Sequence, residues 1–437
     1  MPGTRGRSAK TSATRAKPRT AKGATRTPKP ILGHYYPIPD ARVSERVGHF
    51  PMSVIRDMTR VANEHKAINL AQGFPDFDPP RELLDAAKKA IDDGYNQYAM
   101  TAGAPALRQA LAEKVRVFNG IECDPDANLC VTCGATEAMM AAMLAIVDPG
   151  DEAIIPEPFY ENFGPDAVVS GARPRFVPMD PPDFQLREER LKKAFTRKTK
   201  AIIVNTPGNP TGRVLERGTL KLIADLCADH DVVAVTDEIY EHLVYDGLAH
   251  TSLATLGDMA ERTITIGGFS KTYSVTGWRL AYTVAPKTLT DAIKRVHDFL
   301  TVGAPHPLQI AAVAALRLPP SYYEQLRKDY EERRAVLLEG LTKAGFTCFR
   351  PNAAYYIMTD VSRFGFPNDT EFAMWLTREV GVASVPGSSF YANKERGRQQ
   401  VRFAFPKKIA TLRAAVERLG KMEEKLAAAP RAGRAKA

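Results

Sequence analysis

The 437-residue chain has no acidic residue before Asp40, no membrane-length apolar run, few cysteines and no ATP-binding glycine loop. Each gap removes a class of function. A helix that crosses a bilayer needs about 20 consecutive apolar residues, and no stretch approaches that. The N-terminus has no apolar stretch, so it does not read as a secretory signal. Cys123, Cys130, Cys133, Cys227 and Cys348 are the five cysteines. They are too few and too scattered for a disulfide framework, and their usage suits a reducing cytoplasm. Cys130 and Cys133 form a C-x-x-C, but no second Cys or His pair lies close enough in sequence to complete four ligands. No metal site is expected. An apolar run ending in Asp237-Glu238 invites comparison with a nucleotide-hydrolysing strand. That chemistry needs G-x-x-x-x-G-K-[ST], and Lys271-Thr272 is preceded by Ser270 instead.

The net charge of +10 belongs to the tails. Residues 1–30 hold nine Lys or Arg, and Arg431, Arg434 and Lys436 close the chain. Without these twelve, 48 basic residues face 50 acidic ones, and the body is near neutral at −2. Residues 1–30 hold no large apolar side chain except Met1 that could offset ordering entropy, so a disordered tail is expected over 1–33, as for 428–437. Three roles fit the basic tail, in order: a solubilising segment, a weak contact with nucleic acid or an anionic surface, or a transit peptide without an amphipathic face.

The length predicts two domains. Glu152–Ile155, Ala201–Val204, Val232–Val235, Thr263–Ile266 and Leu280–Val284 are continuous apolar runs, the pattern of strands buried on both faces. Asn128–Thr132 reads as a further strand. Helical segments between several runs, such as 218–228, give an α/β reading with a mainly parallel sheet over 67–319. Past Pro319 the pattern changes. A charged helix over 321–344, mixed elements and a final helix over 409–427 make a smaller α+β domain at 320–427. Residues 34–66 are expected to join it.

Chemistry-bearing residues gather at predicted strand ends, where open α/β sheets bind ligands. Lys271 follows one strand and Arg279 lies eight residues on: a lysine can form a Schiff base with a carbonyl, and an arginine can hold a phosphate. Pyridoxal 5′-phosphate (PLP) requires both. Asn205-Thr206-Pro207-Gly208-Asn209-Pro210-Thr211-Gly212 forces a turn that presents Asn209. Gly134-Ala135-Thr136 opens a helix whose N–H groups could seat a phosphate. Pro158-Phe159-Tyr160 offers rings for stacking. Singly, each is ordinary loop composition.

Together they resemble a class I PLP-dependent aminotransferase, in the branch with kynurenine and glutamine transaminases. Seven segments carry the resemblance in order across roughly residues 68–405. They are Gln72-Gly73-Phe74-Pro75-Asp76-Phe77, Asn96-Gln97-Tyr98, Gly134-Ala135-Thr136-Glu137, the N-x-P-x-N-P-T-G run, Asp237-Glu238-Ile239-Tyr240, S-K-T-Y-x-x-T-G-W-R from Ser270 to Arg279, and Val401-Arg402-Phe403-Ala404-Phe405.

The resemblance implies a homodimeric fold-type-I enzyme. It implies that Lys271 holds the cofactor and then moves the substrate proton, that Asp237 pairs with the ring nitrogen, and that Asn209 and Tyr240 donate to the ring oxygen. Tyr160 or Phe159 would stack on the ring. Ala135, Thr136, Ser270 and Arg279 would hold the phosphate, with Tyr98 reaching it from the neighbouring subunit. Arg402 would grip the substrate α-carboxylate beside Gly73 and Asn209. Gly268 departs from relatives with a hydroxyl residue there, which puts one phosphate bond in doubt. Residues 301–306 are expected to line the distal pocket, with His306 near a polar group. They hold no arginine for a second carboxylate, so neutral or aromatic donors are favoured. A PLP-dependent β-lyase shares the first step and stays open. A PLP-sensing DNA-binding regulator would need a folded domain that thirty tail residues cannot supply.

Overall fold

A computed structural model describes residues 42–428; both basic tails lie outside these residues. Thirteen strands form three sheets among them. They are β1 (Ile68–Asn69), β2 (Leu129–Thr132), β3 (Glu152–Glu157), β4 (Arg173–Pro178), β5 (Thr199–Asn205), β6 (Val233–Asp237), β7 (Thr263–Gly268), β8 (Ala281–Val284), β9 (Thr347–Phe349), β10 (Tyr356–Asp360), β11 (Val382–Ala383), β12 (Val385–Pro386) and β13 (Gln400–Ala404).

The largest sheet has seven strands in the order β2-β8-β7-β6-β5-β3-β4. The four pairings from β7 to β4 are parallel, and β8 runs antiparallel to both β7 and β2. Every residue of β2, β7 and β8 is buried, as the uninterrupted apolar runs require. Strand direction fixes the site. β2, β3, β5, β6 and β7 all point the same way, so the residues after them reach one edge of the sheet. β8 runs back from that edge, so Arg279, just before it, belongs to the same edge.

The second sheet, β12-β13-β10-β9, is antiparallel throughout, and β1 pairs in parallel with β11. Arg402 sits mid-strand in β13, opposite Met358 and Val385. Helix α1 (Val54–Glu64) is capped by the Ser53 hydroxyl, which accepts from the Arg56 N–H, and it packs against β1, β11 and β12. Helix α2 (Ala135–Ile146) follows β2, and α3 (Phe163–Ser170) follows β3. The 321–344 expectation corresponds to α4 (Pro320–Lys343).

Two expectations need correction. The final helix is not continuous over 409–427. It divides into α5 (Ile409–Leu419) and α6 (Met422–Ala428), separated at Gly420, whose weak helix propensity suits a break. No apolar run marks a strand over 173–178, yet β4 forms there. Its Arg-Pro-Arg-Phe-Val-Pro sequence is tolerated because it is the sheet's edge strand.

Candidate active site

A cavity of about 160 Å³ opens at the shared strand edge. Gly73, Ala135, Thr136, Tyr160, Asn209, Asp237, Tyr240, Ser270, Lys271, Arg279 and Arg402 all border it. Residues more than 300 positions apart in sequence thus meet because parallel strands deliver them to one edge and β13 supplies the last.

Lys271 follows the buried β7 and faces the rings of Tyr240 and Tyr355, with its ammonium 5.9 and 5.7 Å from their centroids. Burial lowers its pKa from 10.5 to about 8; Asp237 pulls the other way, and Arg279 and Arg402 lower it further. The amine is therefore closer to its nucleophilic form than a surface lysine. Asp237 ends β6, only 8% exposed, and its Oδ1 accepts from the Ile239 N–H at 3.2 Å. Burial raises its carboxyl to about 6, against the Ile239 bond and the Lys271 charge.

Asn209 is set by a brace. The Asn205 carboxamide donates to the Asp237 carbonyl at 3.0 Å, and its oxygen accepts from the Asn209 N–H at 2.7 Å. Arg402 is fully buried. It donates to Asn209 Oδ1 and to the Ala71 carbonyl, both at 2.7 Å, and lies over the rings of Tyr356 and Phe390. Its Nε has no partner. The Tyr240 hydroxyl meets that of Tyr356 at 2.9 Å, and Tyr355 donates to the Gly73 carbonyl at 2.8 Å.

The start of α2 is shaped for an anion. Gly134 has φ +86°, and a Cβ there would lie 2.6 Å from Arg279 Nη2, so only glycine lets the guanidinium approach the helix N-terminus. Backbone N–H groups and a guanidinium converge on one spot, the donor set a phosphate monoester requires. A carbonyl-reactive amine and a phosphate seat in one cavity fit PLP.

The ambiguity between Phe159 and Tyr160 is resolved by position. Tyr160 borders the cavity; Phe159 is buried and stacks on Phe176 at 5.3 Å. Gly268 leaves no room for a hydroxyl side chain without adjustment, since a Cβ would meet Ala281 Cβ at 3.1 Å and Ile239 Cδ1 at 3.3 Å. Tyr98 is 83% exposed and does not border the cavity of its own chain. Residues 301–306 do not border it either, contrary to expectation. They pack instead beside the strip that carries Tyr98. His306 Nδ1 bonds the Gln97 carbonyl at 3.1 Å, and a Cβ added at Gly303 would lie 3.8 Å from the Ala99 carbonyl.

Ser53, Arg56, Gln72, Glu161, Asp166 and Tyr356 border the cavity unforeseen. Arg56 is an arginine at the pocket that the reading of residues 301–306 did not address. Residues 301–306 hold none, but Arg56 arrives on α1, from a segment with no motif. Ser53 donates a short hydrogen bond to Glu161, tying that segment to the cavity mouth. The Cys130–Cys133 pair is uninvolved: both thiols are free, and Cys133 Sγ lies 3.6 Å from the Gly303 carbonyl. Glu238, Glu241 and His250 cluster behind the site, but their charges are engaged. Glu238 accepts from Ser252 and bonds His250, and Glu241 accepts from Lys114 and Asn119.

Residues 65–419 match the family model described as aminotransferase class I and II. The chain is 35% identical to the methionine aminotransferase of Escherichia coli over 84% of its length and 95% of that protein. It is 36% identical to human kynurenine–oxoglutarate transaminase 1, covering 85% of this chain and 96% of the relative. Among solved structures, N-succinyldiaminopimelate aminotransferase from Mycobacterium tuberculosis matches with a TM-score of 0.84 at 38% identity, covering 86% of this chain and 99% of that one. The structural neighbours are fold-type-I enzymes, and the seven-stranded sheet follows the same plan. On fold, on sequence and on the cavity at its strand edge, this chain belongs to the class I and II aminotransferases.

Proposed function

We propose that this aminotransferase works as a homodimer with PLP bound through Lys271, and that it prefers L-amino acid donors with neutral or aromatic side chains. One observation carries the reading: Lys271, Asp237, Asn209, the α2 N-terminus with Arg279, and Arg402 share one cavity. PLP contributes an aldehyde that takes up the amino group and a ring that withdraws electrons from the substrate α-carbon. The chain's residues do the rest. Lys271, freed by substrate, is the base that moves the α-proton. Asp237 keeps a negative charge at the ring nitrogen. Asn209, whose oxygen is taken by Arg402, has its NH₂ free for the ring oxygen, and Tyr240 is the second donor. Ala135, Thr136, Ser270 and Arg279 hold the phosphate, and Tyr160 covers the ring face. Arg402 takes the α-carboxylate with its two Nη groups, beside the Gly73 backbone.

The donor preference rests on the remaining walls. Ile55, Phe163, Tyr160 and Tyr356 are apolar or aromatic, and Arg56 and Glu161 bring one charge of each sign. No net charge is left to match a charged side chain. Arg56 supports a second reading, in which it takes the distal carboxylate of a dicarboxylic donor.

The test is a donor panel with PLP-loaded protein, following the cofactor's near-visible band and the released oxo acid. Methionine or phenylalanine outpacing aspartate supports the first reading. Aspartate dominance that Arg56→Gln abolishes supports the second. Pyruvate or ammonia accumulating with the band unchanged would mark an eliminating enzyme instead.

A further inference from the structure

Asp166 is a carboxyl group that the reaction described above leaves without a task. It lies on α3, six residues after Tyr160, borders the Lys271 cavity and is 3% exposed. Its Oδ2 is enclosed with no hydrogen-bond partner. No lysine, arginine or histidine forms an ion pair with it among the described residues. Phe163 and Met139, which border the same cavity, offer no polar group to solvate a charge. The ionisable group it feels is another acid, Asp237, in the same cavity. The pocket's four cations are placed otherwise: Lys271 acts on Asp237, Arg279 stands at the α2 N-terminus, Arg402 bonds Asn209 and Ala71, and Arg56 borders the cavity from α1 without an ion pair to Asp166.

Two carboxylates cannot both ionise in one enclosed space without a cation each, and an unpaired buried charge costs several kcal/mol or takes up a proton. Asp237 has a backbone donor and Lys271 to hold its charge; Asp166 has neither. We propose that the two aspartates of this cavity, Asp166 and Asp237, carry a single proton and that Asp166 holds it, so that Asp166 is a positioning residue that leaves Asp237 charged for the ring nitrogen. Burial and the Asp237 charge both push Asp166 well above the usual carboxylate range, in keeping with that division. The second half of the proposal rests on PLP as cofactor; the protonation of Asp166 does not.

The test is infrared difference spectroscopy of wild-type protein and Asp166→Asn at neutral pH, with and without PLP. A protonated-carboxyl C=O band that shifts in heavy water should be present in wild type and missing in Asp166→Asn. Asparagine keeps a donor of the same size, so the pH at which PLP affinity falls on the acid side should move by less than about half a unit. Asp166→Leu removes the donor and should raise that pH by about one unit or more. Identical carboxyl bands in wild type and Asp166→Asn, or leucine and asparagine behaving alike in the affinity titration, would overturn the proposal. Should Asp166→Asn fail to fold, ¹³C-aspartate-labelled wild type supplies the same band assignment by isotope shift, and lack of any protonated aspartate overturns the proposal. A protein that shows the band yet takes up no PLP would refute the cofactor reading while supporting the protonated Asp166.

Discussion

Lys271 and Asp237 set opposite demands on pH. With a pKa near 8, about one Lys271 amine in ten is neutral at pH 7, against a few in ten thousand at the ordinary 10.5. Capture of PLP should therefore speed up about tenfold per pH unit below 8 and level off above it, as stopped-flow absorption would read. Stability of the cofactor-free protein follows by linkage. The folded pKa of Lys271 lies below 10.5, so the unfolded chain binds more protons between about 8 and 10.5, and stability rises with pH across that window. The folded pKa of Asp237, about 6, lies above 3.8, so the folded chain binds more protons there, and stability falls as pH rises from about 4 to 6. Denaturant titrations across pH should show both slopes; Lys271→Met should erase the alkaline one. Lys271→Ala should lower transamination below about one-thousandth of wild type while the fold survives, since the lysine makes no structural ion pair. Arg402→Lys replaces a two-pronged donor by a point charge and should cut kcat/KM by about 10²-fold, most of it in KM.

At the scale of elements, the α2 N-terminus makes the sharpest prediction. Gly134→Ala would place a methyl where the Arg279 guanidinium lies and force a residue with a Cβ to hold φ +86°. A stability loss of about 1–2 kcal/mol and roughly tenfold weaker PLP binding are expected, measurable by thermal melts and fluorescence quenching. The start of that helix is legible in the sequence because a tight strand–helix turn concentrates small residues. Strands buried on both faces are equally legible, and the apolar runs that precede Lys271, Asn209 and Asp237 mark all three as strand-end residues. β4 escapes because an edge strand may carry proline and arginine, which read as loop. The break at Gly420 escapes because the apolar pattern continues across it. Asp166 and Arg56 escape for a different reason. Neither sits at a strand end; both enter the cavity from a helix, and only tertiary packing turns those faces inward. The choice of Tyr160 over Phe159 is likewise beyond the reach of sequence, since adjacent residues differ only in which side of the loop they face.

At the scale of the molecule, a patch of apolar side chains lies open. Tyr98 is 83% exposed and Phe299 91%, with Met100, Leu300 and Val302 about half exposed, on two segments joined by bonds from His306 to Gln97 and from Thr101 to Asp298. Exposed apolar surface of this extent suits the association face that the proposed homodimer needs. The His306 bond to the Gln97 carbonyl and the Thr101 bond to Asp298 hold the 95–101 strip against the 298–306 segment, so the two would move into a partner together. Analytical ultracentrifugation should find a dimer that Phe299→Asp weakens. Mixing inactive Tyr98→Phe and Lys271→Ala proteins should restore part of the activity through hybrid sites if Tyr98 serves the neighbouring cavity, and no recovery would count against that assignment.

The bond from Arg402 to Asn209 has a consequence that extends past its role in geometry. A carboxylate entering the site must displace, or share, an acceptor that also positions the amide facing the cofactor ring. The two ligands are then thermodynamically linked: whatever factor a bound carboxylate contributes to PLP retention, PLP must contribute equally to carboxylate affinity. An unreactive acid such as a simple alkanoate should shift the cofactor's absorption without being consumed. Asn209→Ala should abolish that coupling, so that the two affinities, measured separately by calorimetry, become independent of each other.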